Sequence, residues 1–278
     1  MPAAGGTCRP FLKWPGGKAR QVPLIREALG AGERLIEPFT GSAALFLNSH
    51  YPRYLLADSN PDLITLYTVL QEQGMEFIRY ARELFQPANN TPEAYYELRR
   101  QFNETTDRRR KAALFVYLNR HCYNGLCRYS RKSGFNVPFG RYRNPGFPER
   151  AMVAFLKRSG KARFLCGDYL ETMDQARRGD VVYCDPPYVP LSETASFTSY
   201  AAGGFGWEDQ RRLAEKAGEL ARRGVRVVIS NHATPEIEAL YGDARLVRHR
   251  EHRSISRNVS SRGPVAELLA IFEPGTSR

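Results

Sequence analysis

A chain of 278 residues, 42% of them hydrophobic, can bury a full core as one large domain or as one domain carrying a sizeable insertion. Its formal net charge of +12 points to a polyanionic partner, of which nucleic acid is the commonest in a cytosol. Five cysteines without CxxC spacing, five histidines without an HExxH pair, no run of membrane-spanning length and no apolar signal core in residues 1–10 exclude a disulfide frame, a zinc motif and an obvious membrane anchor, so a soluble, metal-free cytoplasmic protein is expected.

Taken in order, residues 11–18 pack Phe11, Lys13, Trp14, Gly16, Gly17 and Lys18 into one loop before a helical stretch from about Arg20 to Leu29. Such a loop lets backbone approach a ligand while Trp14 stacks and a lysine meets a negative group. The Gly pair is adjacent and Ala19 follows Lys18, so the P-loop spacing of an NTPase is absent. Arg34 to Glu37 reads as a strand, Pro38 to Ser42 as its tight exit and Ala43 to Asn48 as an apolar helix, which together make a nucleotide-type corner around Gly41. A second strand, Tyr54 to Ala57, ends at Asp58, where an acidic side chain is placed to accept hydrogen bonds from ribose hydroxyls. The alternative for Asp58 is a cap on the helix from Leu63 to Gln71, although Asn60 or Asp62 can serve there instead.

Residues 62–110 turn helical, with Leu63, Leu66, Tyr67 and Leu70, then Phe77, Tyr80, Ala81 and Leu84, at three-and-four spacing. The charge run Asp107 to Lys111 is either a solvated face or a contact with phosphates. Between Leu118 and Tyr142, basic and amide side chains interleave with aromatics in a glycine-punctuated hairpin. Tyr123, Asn124, Arg128, Arg141 and Tyr142 lie in it, and the mixture suits nucleic acid, where Arg reads guanine edges, Asn reads adenine and aromatics stack or wedge.

After Pro145 helix and strand alternate again. Ala162 to Cys166 is a strand that exits at Asp168, and Val181 to Cys184 a buried strand that empties into Asp185-Pro186-Pro187-Tyr188. Both prolines lock φ and lack an N–H, so the Pro186 carbonyl has a fixed direction and stands beside the Asp185 carboxylate. Two such acceptors can hold both hydrogens of an exocyclic amine while Tyr188 stacks on the ring. Alone, the motif also reads as a proline turn with a surface Asp and a packing Tyr. A polar loop over 191–200 is expected to cross this site; Asp209 to Arg222 is an amphipathic helix, Val225 to Ser230 a strand, and His232 structural. Arg245 to Arg262, with six arginines, is expected to be a mobile basic loop, and Leu268 to Phe272 a last strand.

These phrases, in this order from Phe11 to Phe272, resemble the Dam family of DNA adenine N6-methyltransferases, the α class of amino-methyltransferases. The resemblance implies an α/β Rossmann-like methyltransferase core over 1–60 and 149–278, interrupted at 61–148 by a small helical target-recognition domain with a hairpin near 122–142. It implies S-adenosylmethionine as methyl donor, held by Trp14, Lys18, Phe39, Gly41, Asp58, Asp168 and Asp185. Asp185, Pro186 and Tyr188 would act on adenine flipped out of GATC, with double-stranded DNA met by Lys13, Tyr123, Asn124, Leu126, Arg128, Pro138, Arg141 and Tyr142. A monomeric, nucleoid-associated protein of bacterial or phage type follows. Two departures stand out: Ala43 takes the place of a glycine usual in the family's corner, and Ala233 that of an Asp after Ser230-Asn231-His232. Cytosine N4 or an RNA base as acceptor, and a DNA-binding protein without turnover, are the alternatives.

Overall fold

The computed structural model describes residues 7–130, 133–188, 205–252 and 264–275. In chain order these form α1 (Val22–Leu29), β1 (Arg34–Glu37), α2 (Ala44–Asn48), β2 (Arg53–Asp58), α3 (Pro61–Arg82), α4 (Pro92–Glu104) and α5 (Arg108–His121). A short hairpin of β3 (Tyr129–Ser130) and β4 (Gly134–Phe135) follows, then α6 (Glu149–Ser159), β5 (Ala162–Cys166), α7 (Tyr169–Asp174), β6 (Val181–Cys184), α8 (Trp207–Arg222), β7 (Arg226–His232), α9 (Pro235–Leu240), β8 (Arg245–His252) and β9 (Pro264–Phe272). The chain divides into two compact units: Met1–Val22, Thr40–His50 and Asp58–Gly167 in the first, and Pro23–Phe39, Tyr51–Ala57 and Asp168–Arg278 in the second.

The second unit is a mostly parallel sheet in the order β2-β1-β6-β7-β9-β8. Strands β2, β1, β6 and β7 run parallel, β9 returns antiparallel to β7, and β8 pairs antiparallel with β9. Strand β6 is buried at all four residues, as a central strand covered on both faces requires. The α/β expectation holds. One expectation falls: residues 245–252 are not loop but an eight-residue strand. An edge strand has only one neighbour and tolerates charge, so its arginines are compatible with pairing, and Arg248 forms a bidentate ion pair with Glu238 at 2.6 and 2.7 Å. Residues 253–262 of the same expectation, and the polar loop over 191–200, lie outside the described residues.

The first unit is largely helical. Asn60 caps α3 by accepting from the backbone of Asp62 and Leu63, Pro61 takes the first helical position, and Leu63, Leu66, Tyr67 and Leu70 face the core. Phe11, Tyr67 and Phe155 meet there, with centroids 4.8–5.9 Å apart. Helix α5 starts at an Asp107 cap, and its basic run pairs with α3: Arg108 with Glu72 (3.6 Å), Arg109 with Glu76 (2.9 Å) and Lys111 with Asp62 (3.7 Å). The run Asp107 to Lys111 is thus a helix start tied to an acidic neighbour. Among the described residues no helix is long and apolar enough to cross a membrane, and all five cysteines are free.

Candidate active site and nucleic-acid interface

The corner after β1 is a set of interlocked backbone contacts within the first unit. Gly41 turns with φ +45°, and a Cβ there would lie 2.7 Å from the Trp14 indole nitrogen, so only glycine admits Trp14 at this distance. The Gly41 carbonyl accepts from the Tyr67 hydroxyl (2.6 Å), and its N–H donates to Asp58 Oδ2 (3.0 Å). The other Asp58 oxygen accepts from the Asn60 N–H at 3.0 Å. The helix cap is therefore Asn60, and Asp58 fixes the glycine turn. Burial pushes the Asp58 carboxyl above its usual range against the pull of these two amides. Lys18 is buried, and the Thr40 hydroxyl is buried without a hydrogen-bond partner among the described residues, a polar group of the kind a ligand satisfies. Ala43, fully buried, adopts φ 59°, ψ 34°, the left-handed region in which a glycine is unstrained.

In the second unit Phe39 stacks on Tyr169 at 5.4 Å, and both meet Phe205. Asp168 is exposed and caps α7 through the Leu170 N–H at 2.7 Å, which commits one of its oxygens to the fold. Strand β6 delivers Asp185, Pro186, Pro187 and Tyr188 at its carboxyl end. Tyr183 just before them bonds Ser230 Oγ at 2.7 Å and is held far above the usual tyrosine range by burial and the Asp185 charge. The Tyr188 hydroxyl donates to Asp185, and burial and then that carboxylate raise its pKa well above normal. The Tyr188 ring meets His232 edge to face at 4.6 Å. Behind the loop the Pro187 carbonyl accepts from Gln210 Nε2 at 3.0 Å. Gln210, absent from the residues expected from sequence, is fully buried on the apolar stripe of α8 with Leu213, Ala214 and Ala217. An amide at a position whose helical spacing demands an apolar side chain was the signal available for it.

The segment 122–142 belongs to the first unit and is held mostly by side chains gripping backbone. Asn103 clamps the β3–β4 hairpin, accepting from the Phe135 N–H (2.9 Å) and donating to the Ser133 carbonyl (3.0 Å). Tyr95 and Arg99 both donate to the Val137 carbonyl, beside Pro138, whose own carbonyl accepts from the Tyr123 N–H at 2.8 Å. Asn124 (φ 54°) and Arg141 (φ 52°) take left-handed backbone, and the Asn124 N–H donates to the Tyr142 hydroxyl at 2.9 Å. Tyr123 is 53% exposed, an unusual setting for a large aromatic unless it has a partner to meet. Arg128 is aligned by Asn136, through its side chain at 2.7 Å and its carbonyl at 3.2 Å, while Leu126 closes a turn on the Tyr123 carbonyl. Arg131 and Lys132 lie outside the described residues.

Lys13 is brought to this segment. Its N–H and carbonyl form a reciprocal pair with the Asn119 amide, both at 2.8 Å, and its ammonium lies 4.1 Å over the Tyr142 ring. A side chain on Gly125 would fall on Lys13 itself. Burial and then the nearby Arg120 lower the Lys13 pKa. A partly desolvated cation over the Tyr142 ring, with the Arg120 charge close by, suits an anionic, base-bearing partner.

A family model described as D12 class N6 adenine-specific DNA methyltransferase matches residues 14–255. The chain is 47% identical over 270 residues to the DNA adenine methylase of Vibrio cholerae, covering 97% of this chain and 98% of that one. It is 48% identical over 267 residues to that of Escherichia coli, covering 96% of each, and 49% identical over 265 residues to that of Serratia marcescens, covering 95% and 98%. Among solved structures, the C-terminal domain of precorrin-6Y C5,15-methyltransferase from Rhodobacter capsulatus aligns over 98% of both chains at 13% identity, with a TM-score of 0.43.

Proposed function

The chain belongs to the D12 class of N6 adenine-specific DNA methyltransferases, and from that premise we propose that it methylates adenine N6 within GATC of duplex DNA, after flipping the base into the Asp185–Tyr188 loop. The observation that carries this reading is that loop: Asp185 and the directed carbonyl of Pro186 at the carboxyl end of a central parallel strand, beside an aromatic ring. That edge is where open α/β sheets bind ligands.

The residues of the corner fit S-adenosylmethionine. In the first unit the Asp58 carboxylate suits ribose hydroxyls, the Thr40 hydroxyl lacks a partner among the described residues, and Trp14 lies against Gly41 with Lys18 buried nearby in sequence. In the second, Phe39 offers a ring face, Asp168 one further acceptor oxygen, and Asp185 the carboxylate next to the reaction. When bound, S-adenosylmethionine supplies an electrophilic methyl on a sulfonium. The protein's own groups do the rest. An adenine amine is a weak nucleophile because its lone pair is delocalised into the ring. Asp185 and the Pro186 carbonyl each accept one of its hydrogens, which favours a more tetrahedral nitrogen and aims the lone pair. Tyr188, released from Asp185 as the base enters, covers the ring, and each such stack is worth roughly 1–3 kcal/mol, comparable to the few kcal/mol that extruding a base costs.

Residues 61–148 are the target-recognition insertion within a core of 1–60 and 149–278. Lys13, Leu126, Arg128, Pro138, Arg141 and Tyr142 read or clasp the duplex, and Tyr123 and Asn124 stand near the gap left by the flipped base. The left-handed Asn124 and exposed Tyr123 support this, since both are poorly suited to a core. The test is transfer of labelled methyl from S-adenosylmethionine to matched duplexes with GATC, a one-base variant or no site, followed by mass analysis of the nucleosides. N6-methyladenine confined to GATC is expected. Methyl on cytosine, or binding without transfer, overturns the reading.

A further inference from the structure

Behind the Asp185–Tyr188 loop lies a set of polar side chains sealed from solvent. Gln210, Asn231 and Tyr241 are each fully buried, and they sit on three different elements: α8, β7 and the residue following α9. Asn231 Nδ2 donates to Gln210 Oε1 (2.9 Å) and to the Tyr241 hydroxyl (3.0 Å), and that hydroxyl donates to Gln210 Oε1 at 3.2 Å. The Asn231 oxygen accepts from the His232 N–H at 2.9 Å. With the Gln210 carbonyl accepting from two sides, its amide plane is fixed, and so is the direction of its NH2 group. It points at the Pro187 carbonyl, 3.0 Å away.

That contact falls where the loop still has freedom. Proline rings lock φ at 186 and 187, so the rotations that remain are those about ψ. A hydrogen bond on the Pro187 carbonyl fixes the peptide that leads into Tyr188. The residue next to Asn231 completes the hold: the His232 ring abuts the Tyr188 ring at 4.6 Å, and His232 lies opposite Glu267 in the β7–β9 register, whose carboxylate is 4% exposed. A buried polar network in which each side chain is held by several hydrogen bonds is rigid, and rigidity on this peptide becomes rigidity of the aromatic ring.

We propose that Gln210 is a positioning residue for methyl transfer: locked by Asn231 and Tyr241, it holds the Pro187 carbonyl and thereby sets the plane in which Tyr188 meets the target base. The inference rests on the assignment of Asp185–Tyr188 as the base-binding loop. Gln210 itself touches neither base nor donor. Its removal therefore lowers the rate of the chemical step and leaves the affinities alone, whereas a merely structural role lowers stability without that split.

The experiment is single-turnover methylation of a GATC duplex by the full chain, with separate affinities for the duplex and for S-adenosylmethionine and a melting curve for each variant. Gln210→Met keeps length and removes the donor; Gln210→Glu keeps shape and turns an acceptor toward the carbonyl. Both are expected to lower the single-turnover rate roughly 10- to 100-fold with both affinities within about threefold of wild type. Wild-type rates in folded variants, or losses confined to affinity, overturn the proposal. Should both variants fail to fold, Tyr241→Phe decides: it leaves the Pro187 contact in place and loosens the amide plane, so a rate several-fold lower at unchanged affinities supports the role and an unchanged rate overturns it. A wild-type protein that methylates no adenine overturns the assignment of the loop, and this inference with it, whereas a wild-type that methylates alongside unaffected variants overturns the inference alone.

Discussion

The Asp185–Tyr188 loop and the 122–142 segment carry the two halves of the proposed activity, and they are held by opposite means. The loop hangs from a wholly buried strand and is braced by fully buried side chains of α8 and β7. The segment has two strands of two residues each and is held largely by partly exposed side chains that grip its backbone, such as Asn103 and Arg99, with the buried Tyr95 beneath. Chemistry on a 3 Å scale rewards fixed groups, because misplacement by an ångström costs rate steeply. Reading a duplex rewards groups that adjust, because partner and water share the contacts.

The largest effect should come from the braced side. Asp185→Ala is expected to lower methyl transfer by roughly 10²- to 10³-fold while filter-binding affinity for duplex DNA is retained. A matching loss of DNA affinity breaks the division of labour.

Next comes acid. His121, at the end of α5, is buried, donates through Nδ1 to the Tyr117 carbonyl (2.9 Å) and stacks on the Tyr117 ring; its own carbonyl accepts from the Gly140 N–H in the 122–142 segment. Burial lowers its pKa to about 4. The unfolded chain, with a histidine pKa near 6.5, binds the extra proton first, so this contribution to stability is complete above about pH 6.5 and is lost as pH falls towards 4. The decline is on the order of 3 kcal/mol at most. Chemical denaturation at intervals between pH 7 and 4 measures it, and His121→Gln should flatten the slope. An unchanged slope in that variant places the acid sensitivity elsewhere.

Arg128→Ala sharpens the contrast at smaller scale. If Arg128 is the base-reading fork proposed above, its loss should cost about 1–3 kcal/mol in binding GATC and narrow the preference over a one-base variant, with the rate on saturating DNA little changed. Smallest is Ala43→Gly at the corner. Left-handed backbone costs an alanine about 1 kcal/mol, partly offset by glycine's extra freedom when unfolded, so the melting temperature should rise by a few degrees at most. A fall would show that the buried methyl contributes more packing than its backbone strain costs.

Much of the molecule was legible where local pattern and tertiary role coincide. Strand β6 announces itself by a continuous apolar run between turn residues, α3 by its spacing and Asn60-Pro61 start, and Gly41 by its place between strand and helix. What was not legible depends on residues far apart in sequence. The basic composition of 245–252 suggested a loop, because strand β8 exists only through its pairing with β9. The run at 107–111 gave no hint of Glu72 and Glu76, over thirty residues upstream, as its partners. Gln210 is the sharpest case: one amide on an apolar stripe reads as an imperfect pattern until the fold supplies a carbonyl 23 residues away.

Gly125 and Lys13 have a bearing on attempts to retarget the protein. The space a side chain would need at 125 is filled by the lysine stem, and φ +63° at 125 already disfavours any other residue. A mutational library that varies the 122–142 segment alone would find 125 intolerant and score it as a folding position. Varied together, the two sites should show strong sign epistasis: the Lys13 Cβ is the atom nearest that space, so loss of the whole side chain at 13 is a prerequisite for enlarging 125, and in the reverse order the intermediate is inactive. The order of substitutions, rather than their sum, then limits which new target sequences are reachable.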